Sequence, residues 1–326
     1  MRKIGRVQLA ILIVIVLGGV VWPSAVRLYT DWLWFVETGY QQVFTTSLLA
    51  RLGLGATVAV LTFVMLFVNL RIALRRFVEP YLVLGVSPAD GSPVVLPRRG
   101  VVGIVTLASA LGALAAGVYG SNHWLDWLKY TQAVPFGSTD PILGHDAAFY
   151  VFSLPWLTFV RGLALAVFVL TAAGSAFVYL LPGRAALGRT SPMAALNVGL
   201  THLSVLAAGI LLLLAAGAWL DRATLLTSPA GIIQGATYAD VSASMPALLV
   251  LTVAAVAGAL VALANVVLKK IWPLAAALGL YALVAVGGNV YAAAVQRLIV
   301  APNEQARETP YLLHNIAATR EAFALD

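Results

Sequence analysis

Two aspartates and a histidine in one turn-rich stretch are the residues best suited to metal chemistry. Asp140, His145 and Asp146 lie in the segment FGSTDPILGHDAAFYVFSLP, which runs from Phe136 to Pro155. Two carboxylates and an imidazole can together bind a divalent cation. The same residues also suit a structural role, because an aspartate before a proline starts a turn and Asp146 can cap the helix that follows. The structural role is favoured, and the three residues are kept as candidate metal ligands.

Two further polar residues interrupt long apolar stretches. His202 is the one ionisable residue clearly within such a stretch, and ionisable groups inside a bilayer often mark proton or substrate paths. A proton relay needs a partner, however, and no carboxylate lies in these stretches, so His202 is predicted to be neutral and hydrogen-bonded to a neighbouring helix. The triplet Gly287-Gly288-Asn289 can unwind a helix or let two helices approach closely. His202 and Asn289 therefore form a possible intramembrane polar site.

The sequence contains no pattern that points to a particular reaction. It has no cysteine, which excludes a thiolate nucleophile, a thiolate metal site and a disulfide framework. It also lacks a phosphate-binding loop, a G-x-S-x-G elbow, an H-E-x-x-H pair and paired intramembrane aspartates. The sequence therefore predicts no cofactor and argues against an enzyme.

The elements that must position these residues are membrane helices. Hydrophobic residues make up 61% of the 326 residues and charged residues only 10%, whereas soluble domains have roughly 45–50% and 25%. The apolar residues are grouped in stretches of about 20, the length that a helix needs to cross a bilayer. The fold class predicted is all-α, a polytopic bundle of about seven transmembrane helices whose loops on one side lie at the membrane interface. The predicted spans are about 8–28, 49–70, 100–120, 156–181, 194–219, 246–268 and 272–295.

The basic residues predict the orientation of the bundle, because lysine and arginine are retained in short cytoplasmic loops. With the N-terminus in the cytoplasm, that side carries twelve basic and two acidic residues, a net charge of +10. The other side carries eight basic and eleven acidic residues, a net charge of −3. The first span is read as an uncleaved signal-anchor. Because the charges lie at helix ends, the net charge of +7 does not indicate nucleic acid, and the expected partner is the lipid bilayer.

Several details of the bundle are also predicted. Residues 71–99, rich in proline and glycine, are expected to form a turn-rich connector. Two stripes of small residues at a spacing of four, Ala108-Gly112-Ala116 and Ala254-Gly258-Ala262, are expected to let helices pack closely. All thirteen acidic residues fall outside the predicted spans.

Four segments carry a resemblance to a known family. They are TDWLWFVETGYQQVF at Thr30–Phe44, the pattern DP…GHD..FY.F.LP at Asp140–Pro155, GATYADV at Gly235–Val241, and VAPNEQARETPYLLHNIAATREAFALD at Val300–Asp326. Together they resemble the uncharacterised protein family 0182 (UPF0182), large bacterial membrane proteins common in actinobacteria. The resemblance implies an N-terminal transmembrane region followed by a large extracytoplasmic domain, and it assigns no catalytic residues.

The expected organisation follows from these observations. Residues 1–295 are predicted to form the seven-helix transmembrane domain, and residues 296–326 to begin an extracytoplasmic region that the natural protein continues. The predicted function is to anchor and orient that region in the bacterial cell envelope, from a multi-pass position in the cell membrane with the N-terminus cytoplasmic and the C-terminus outside. A transporter or channel subunit is the first alternative, and a membrane enzyme acting on lipid or cell-wall substrates is the second.

Overall fold

The computed structural model describes residues 6–75, 81–86, 93–180, 192–229 and 235–325, and these are almost entirely helical. The fold class predicted from the sequence, all-α, is confirmed. The α-helices in chain order are α1 Arg6–Glu37, α2 Gln41–Arg75, α3 Arg98–Ser121, α4 Trp124–Thr131, α5 Leu154–Leu180, α6 Pro192–Thr224, α7 Met245–Leu268, α8 Ile271–Val295 and α9 Glu304–Phe323.

Within the described residues, six helical stretches are long and apolar enough to cross a membrane. They match the second to seventh predicted spans, except that the fourth span runs one residue beyond its stretch and the fifth begins three residues before its stretch. The first predicted span, 8–28, lies in α1, and most of its side chains lie outside the described residues. The loop 181–191, which supplies Arg184 and Arg189 to the charge count, also lies outside them.

The connector after α2 contains a structure that its turn-rich sequence did not predict. Strands β1 Tyr81–Val86 and β2 Pro93–Pro97 pair in antiparallel fashion, with a register shift between Val83 and Gly85. The many prolines and glycines are compatible with such a short hairpin. Strand β2 begins and ends on proline, and a proline at the end of an edge strand removes few hydrogen bonds from the sheet. Residues 76–80 and 87–92 of the connector lie outside the described residues.

Glycines on α6 receive large side chains of α5. Methyl groups added at Gly199 and Gly209 would overlap the rings of Tyr179 and Phe168 respectively. Only the absence of a side chain at these positions lets the two helices approach this closely, as in other membrane helix pairs. The contact fixes the two helices antiparallel, so that the beginning of α5 lies beside the end of α6.

The predicted small-residue stripe is confirmed on α7, whereas the one on α3 is only partly at the packed face. A methyl group added at Gly112 would lie 3.0 Å from the Leu66 side chain of α2, but Ala108 is exposed. Ala254, Gly258 and Ala262 are all buried on α7. On α3, the buried stripe instead runs through Ser109, Ala113 and Gly117, one residue beyond the predicted one. Small residues occur on several faces of α3, so their spacing alone did not identify the face that packs.

Helices α7 and α8 are joined by a tight turn. Lys269 adopts a left-handed conformation with φ of 52°, which is uncommon for a residue other than glycine. The fully buried Asn265 supports the turn, because its side-chain oxygen accepts the backbone N–H of Lys270 at 3.1 Å and its amide donates to Ser204 of α6 at 2.9 Å. The end of the bundle opposite this turn carries α4, residues 132–148, residues 235–244 and α9, and is called the α9 end below.

Candidate functional site

The candidate metal ligand Asp140 is bonded to the backbone of its own loop. One carboxylate oxygen accepts the N–H groups of Ile142 at 2.9 Å and Leu143 at 2.6 Å. The other accepts the N–H of His145 at 2.8 Å and the hydroxyl of Tyr150 at 2.7 Å. Partial burial alone would raise the pKa of Asp140, but these four hydrogen bonds outweigh it, so the pKa lies below its usual value.

Asp146 closes the same loop from its other side. Its carboxylate accepts the N–H groups of Phe136 at 3.0 Å, Gly137 at 2.8 Å and Ala148 at 2.8 Å. The N–H of Phe136 in particular, with those of Ala148 and Gly137, holds the pKa of Asp146 below its usual value. The bond to Ala148 is that of a residue starting a helix, as the sequence suggested.

These hydrogen bonds define what the three candidate ligands do. The carboxylates of Asp140 and Asp146 point into the loop, and the main chain of His145 is bonded to Asp140 through both its N–H and its carbonyl, at 2.8 and 2.9 Å. Among the residues that the structure describes, no group of three or more histidine, aspartate or glutamate side chains is arranged to hold a metal ion. The structural role favoured from the sequence accounts for every carboxylate contact seen here.

His202 joins three helices. Its Nε2 lies 2.9 Å from the side-chain oxygen of Asn69 on α2, and its Nδ1 lies 3.0 Å from the hydroxyl of Tyr179 on α5. Asn69 donates its amide to the carbonyl of Met65 at 2.7 Å, so its oxygen is free to accept. Nε2 therefore donates to Asn69, whereas the bond between Nδ1 and the Tyr179 hydroxyl can run in either direction. Asn69 and Tyr179 were not singled out from the sequence, because hydrogen bonding across helices has no local sequence signal.

Asn289 lines a cleft between α6, α7 and α8 near the α9 end. Its amide donates to the carbonyl of Ala285 at 3.0 Å within its own helix. The cleft has a volume of about 240 Å³ and also contains the side chains of Asp221 and Ser244. The structure does not bring Asn289 together with His202, since His202 bonds to α2 and α5 and does not line this cleft.

Two charged residues near this cleft received no role from the sequence. Arg161 lies within a predicted span, on α5, and its Nε donates to the carbonyl of Leu213 on α6 at 2.9 Å. Gly217 makes this possible, because any side chain there would overlap the guanidinium group. Asp221 was expected beyond a span ending near residue 219, but α6 continues to Thr224. Arg161 acts electrostatically on the Asp221 carboxylate.

The C-terminal helix α9 is attached to the segment before α7 through Tyr238. Both carboxylate oxygens of Glu308 accept the N–H of Tyr238, at 3.2 and 3.1 Å. The guanidinium of Arg307 lies 5.1 Å from the centre of the Tyr238 ring and donates to its hydroxyl at 3.3 Å. These contacts, called the Tyr238 joint below, connect residues about 70 positions apart in the chain.

Apolar and aromatic contacts extend the Tyr238 joint. The rings of Tyr238 and Tyr311 are 6.3 Å apart in an edge-to-face arrangement, and Tyr311 shares a hydrogen bond with Ser242. Val300, between α8 and α9, is fully buried in a cluster with Ala239 and Ala243. The first half of α9 and the turn before it therefore both contact residues 238–243. The joint was not predicted, although both of its halves lie in segments that carry the family resemblance.

These features identify the class of protein. Long apolar helices packed through small residues, with hydrogen bonds between helices inside the bundle, are those of a multi-pass membrane protein. Residues 7–326 match the model of the uncharacterised protein family UPF0182, and the chain belongs to that family.

Curated members of this family are similar along nearly the whole chain. A UPF0182 protein of Geobacter sulfurreducens is 38% identical over 97% of this chain, which corresponds to 36% of the relative's own length. A UPF0182 protein of Streptomyces coelicolor is 34% identical over 91% of this chain and 30% of its own length. The chain thus spans about a third of the length of the curated relatives it matches. No solved structure matches it.

Proposed function

We propose that the helical bundle anchors and orients an extracytoplasmic region in the bacterial cell envelope, and that α9 is the element through which orientation is transmitted. In this proposal the chain lies in the cell membrane with its N-terminus in the cytoplasm and the α9 end outside. The net charges of +10 and −3 on the two predicted sides support this orientation.

The Tyr238 joint is the observation that carries the proposal. A segment that merely followed the last span would need no specific contacts, and a single flexible residue after α8 would leave it free to rotate. Instead, α8 leads into α9 through a π-helical turn Gln296–Val300 and a 3-10 turn Ala301–Asn303. The backbone departs from helical dihedral angles at Asn303, with φ of −144° and ψ of 49°, and α9 begins at the next residue. The Glu308 carboxylate and the buried Val300 then fix the direction of α9 relative to α7.

The length of the relatives also supports a role in placing a larger region. The part of each relative that matches this chain is about a third of its length. We infer that the chain corresponds to the N-terminal transmembrane region of such a protein, with residues 296–326 forming the beginning of the extracytoplasmic part. A rigid connection at α9 would then determine how everything that follows is presented.

The test measures whether the Tyr238 joint fixes α9. The chain has no cysteine, so spin labels can be attached at Lys129→Cys on α4 and Thr319→Cys on α9 without removing any native thiol. Distances between the labels are measured by electron paramagnetic resonance in lipid nanodiscs. The unaltered joint should give one narrow distance distribution, and Glu308→Ala should broaden it.

The matched control is Glu321→Ala, which removes a carboxylate from the same helix at an exposed position outside the joint. It should leave the distribution narrow. A broad distribution in the unaltered joint, or equal broadening by both substitutions, would contradict the proposal.

A transporter or channel subunit is the second candidate, and one observation favours it. The cleft that contains Asp221, Ser244 and Asn289 places an acidic side chain between membrane helices, where charged groups are costly unless they have a function. The neighbouring Arg161, whose charge acts on the Asp221 carboxylate, is a closer structural explanation for an acidic group in this cleft. Ion flux through reconstituted protein separates the two candidates.

A further inference from the structure

A second cavity at the α9 end has walls of a different chemical character. It lies between the loop that carries His145 and the last turns of α6, and has a volume of about 250 Å³. Its lining residues are Leu143, His145, Phe149, Trp219, Leu220, Arg222 and Ala223. Two of them can carry positive charge, none carries a carboxylate, and the others are apolar or aromatic.

Arg222 has hydrogen-bonding capacity that the described part of the chain does not use. Its Nε is shielded from solvent and has no hydrogen-bond partner among the described residues. The guanidinium lies 4.8 Å from the centre of the Trp219 ring, one helical turn earlier on the same face of α6. A buried N–H without an acceptor costs free energy. The shielded Nε is out of reach of a ligand in the cavity, but Arg222 also lines the cavity, so an anionic ligand would bind through the terminal guanidinium nitrogens.

His145 is held in a fixed position on the opposite wall. Its main chain is bonded to Asp140 on both sides, and its ring lies 4.6 Å from the ring of Phe149. The negative charges of the loop do not face the cavity, because the oxygens of Asp140 and Asp146 accept hydrogen bonds inside the loop. The loop thereby presents an imidazole to the cavity from a rigid support, which lowers the entropic cost of binding.

We propose that this cavity binds a phosphate group, carried by the headgroup of an anionic phospholipid in the leaflet at the α9 end. The planar fork of Arg222 suits a phosphate oxygen pair, and the imidazole of His145 can donate to a further oxygen. The apolar walls favour a lipid over free phosphate, because Phe149, Trp219 and Leu220 would contact the glycerol and the upper acyl chain. Tryptophan is enriched at the level of lipid headgroups, where such a ligand would lie.

The protein contains a natural control for this site. Arg51 lies 5.0 Å from the centre of the Trp124 ring at the α9 end, in a cavity of about 230 Å³. The arginine, the tryptophan and the cavity size are therefore closely matched. That cavity, however, also contains the carboxylate of Asp31, which would repel a phosphate group. An effect of positive charge alone should be equal at the two arginines, whereas a phosphate site should depend on Arg222.

The experiment measures lipid retention by the purified full chain in detergent, using native mass spectrometry with added phosphatidylglycerol or phosphatidylcholine. One phosphatidylglycerol should be retained in preference to phosphatidylcholine. Arg222→Gln should weaken that retention by about tenfold or more, the range expected for losing hydrogen bonds between charged groups. Arg51→Gln should leave it unchanged. Equal loss in the two variants, or no loss in Arg222→Gln, would overturn the proposal.

Two further measurements separate folding from binding and one phosphate source from another. The thermal midpoint of each variant is recorded, and His145→Gln, which leaves α6 intact, should weaken retention severalfold; unchanged retention there would overturn the role given to His145. Glycerol phosphate is added as a soluble competitor and should displace the lipid only at far higher concentration. Displacement at a comparable concentration would overturn the lipid as the source and leave a site for soluble phosphate.

Discussion

Two segments at the α9 end lead into membrane helices by the same local structure and are stabilised in opposite ways. Residues 136–148 precede the π-helical turn Phe149–Ser153 and α5, and the segment from Gly235 precedes the π-helical turn Asp240–Ser244 and α7. In the first segment, the carboxylates of Asp140 and Asp146 bond only within about ten residues of themselves. In the second, Tyr238 bonds to Glu308, 70 residues later.

The first segment is ordered by local hydrogen bonds, whereas the second also depends on a distant helix. The first loop can form its structure without any other part of the chain, because its acceptors and donors are near neighbours. The second segment also has a local element, since Asp240 accepts the N–H and the hydroxyl of Thr237 at 3.0 and 2.9 Å. The hydrogen bonds that Tyr238 makes with Glu308 and Arg307, however, form only when α9 is in place. A rigid loop and a rigid joint therefore occupy the same end of the bundle and should lose their structure independently.

The largest effect is expected from removing Asp140. Asp140→Ala deletes four hydrogen bonds to a charged acceptor, and such bonds contribute about 1.5–3 kcal/mol each when taken singly. We expect hydrogen exchange of the Leu143 and His145 amides to accelerate about a hundredfold, with no change at Tyr238. Asp126→Ala, whose carboxylate bonds to His123, is the control and should leave the loop amides protected. Faster exchange at Tyr238 in Asp140→Ala would show that the two segments are coupled.

A smaller and complementary effect is expected from Glu308. Glu308→Ala removes the acceptor of a single half-buried N–H, so exchange of the Tyr238 amide should rise about tenfold while Leu143 and His145 remain protected. Hydrogen-exchange mass spectrometry of the same peptides measures both. If the amides of the first loop also lose protection, the independence of the two segments is disproved.

The sequence predicted the first segment better than the second for a physical reason. Asp-Pro at residue 140 and Asp146 before a helix have local meaning, because a short side chain can reach the backbone of its neighbours. Tyr238, Glu308 and the His202 partners Asn69 and Tyr179 acquire their roles only in the folded bundle. The apolar stretches predicted the helices, because the thickness of the bilayer sets the length of an apolar stretch that spans it. Asp221 lies beyond its predicted span but within α6, because hydropathy marks the bilayer core and not the end of the helix.

Acid should weaken the first segment. The folded pKa of Asp140 and that of Asp146 lie below the usual value of 3.8. Each carboxylate therefore contributes its full stabilisation above that value and loses it as the pH falls through 3.8 towards the folded pKa. The difference in unfolding free energy between the wild type and Asp140→Ala should shrink as the pH is lowered from 6 to 3 in buffered titrations, with pH 6 and 3 lying about two units above and one unit below the ordinary value. A difference independent of pH would contradict the hydrogen-bond assignment.

The smallest effect, no change in ion flux, is expected from substitutions inside the membrane. Contacts between residues distant in sequence occur there too, but they hold helices together. Both ring nitrogens of His202 are hydrogen-bonded, one to Asn69 and one to Tyr179, so the ring links α2, α5 and α6. His202→Leu should lower stability without creating or abolishing ion flux. Asn289→Leu should also leave flux unchanged, because the Asn289 amide is bonded to Ala285 in its own helix.

Liposomes that contain the chain should therefore show the same flux of protons, sodium and potassium as empty vesicles. The physical reason is solvation cost, since an ion crossing the midplane needs groups that replace its water, and such groups cost several kcal/mol unless they serve a path. Where a hydroxyl or amide inside a span is hydrogen-bonded to its own helix or to a neighbouring one, no ion path is needed to explain its presence. A reproducible flux that His202→Leu or Asn289→Leu abolishes would replace the anchoring role by transport, and would make the cleft at Asp221 the first place to look for the path.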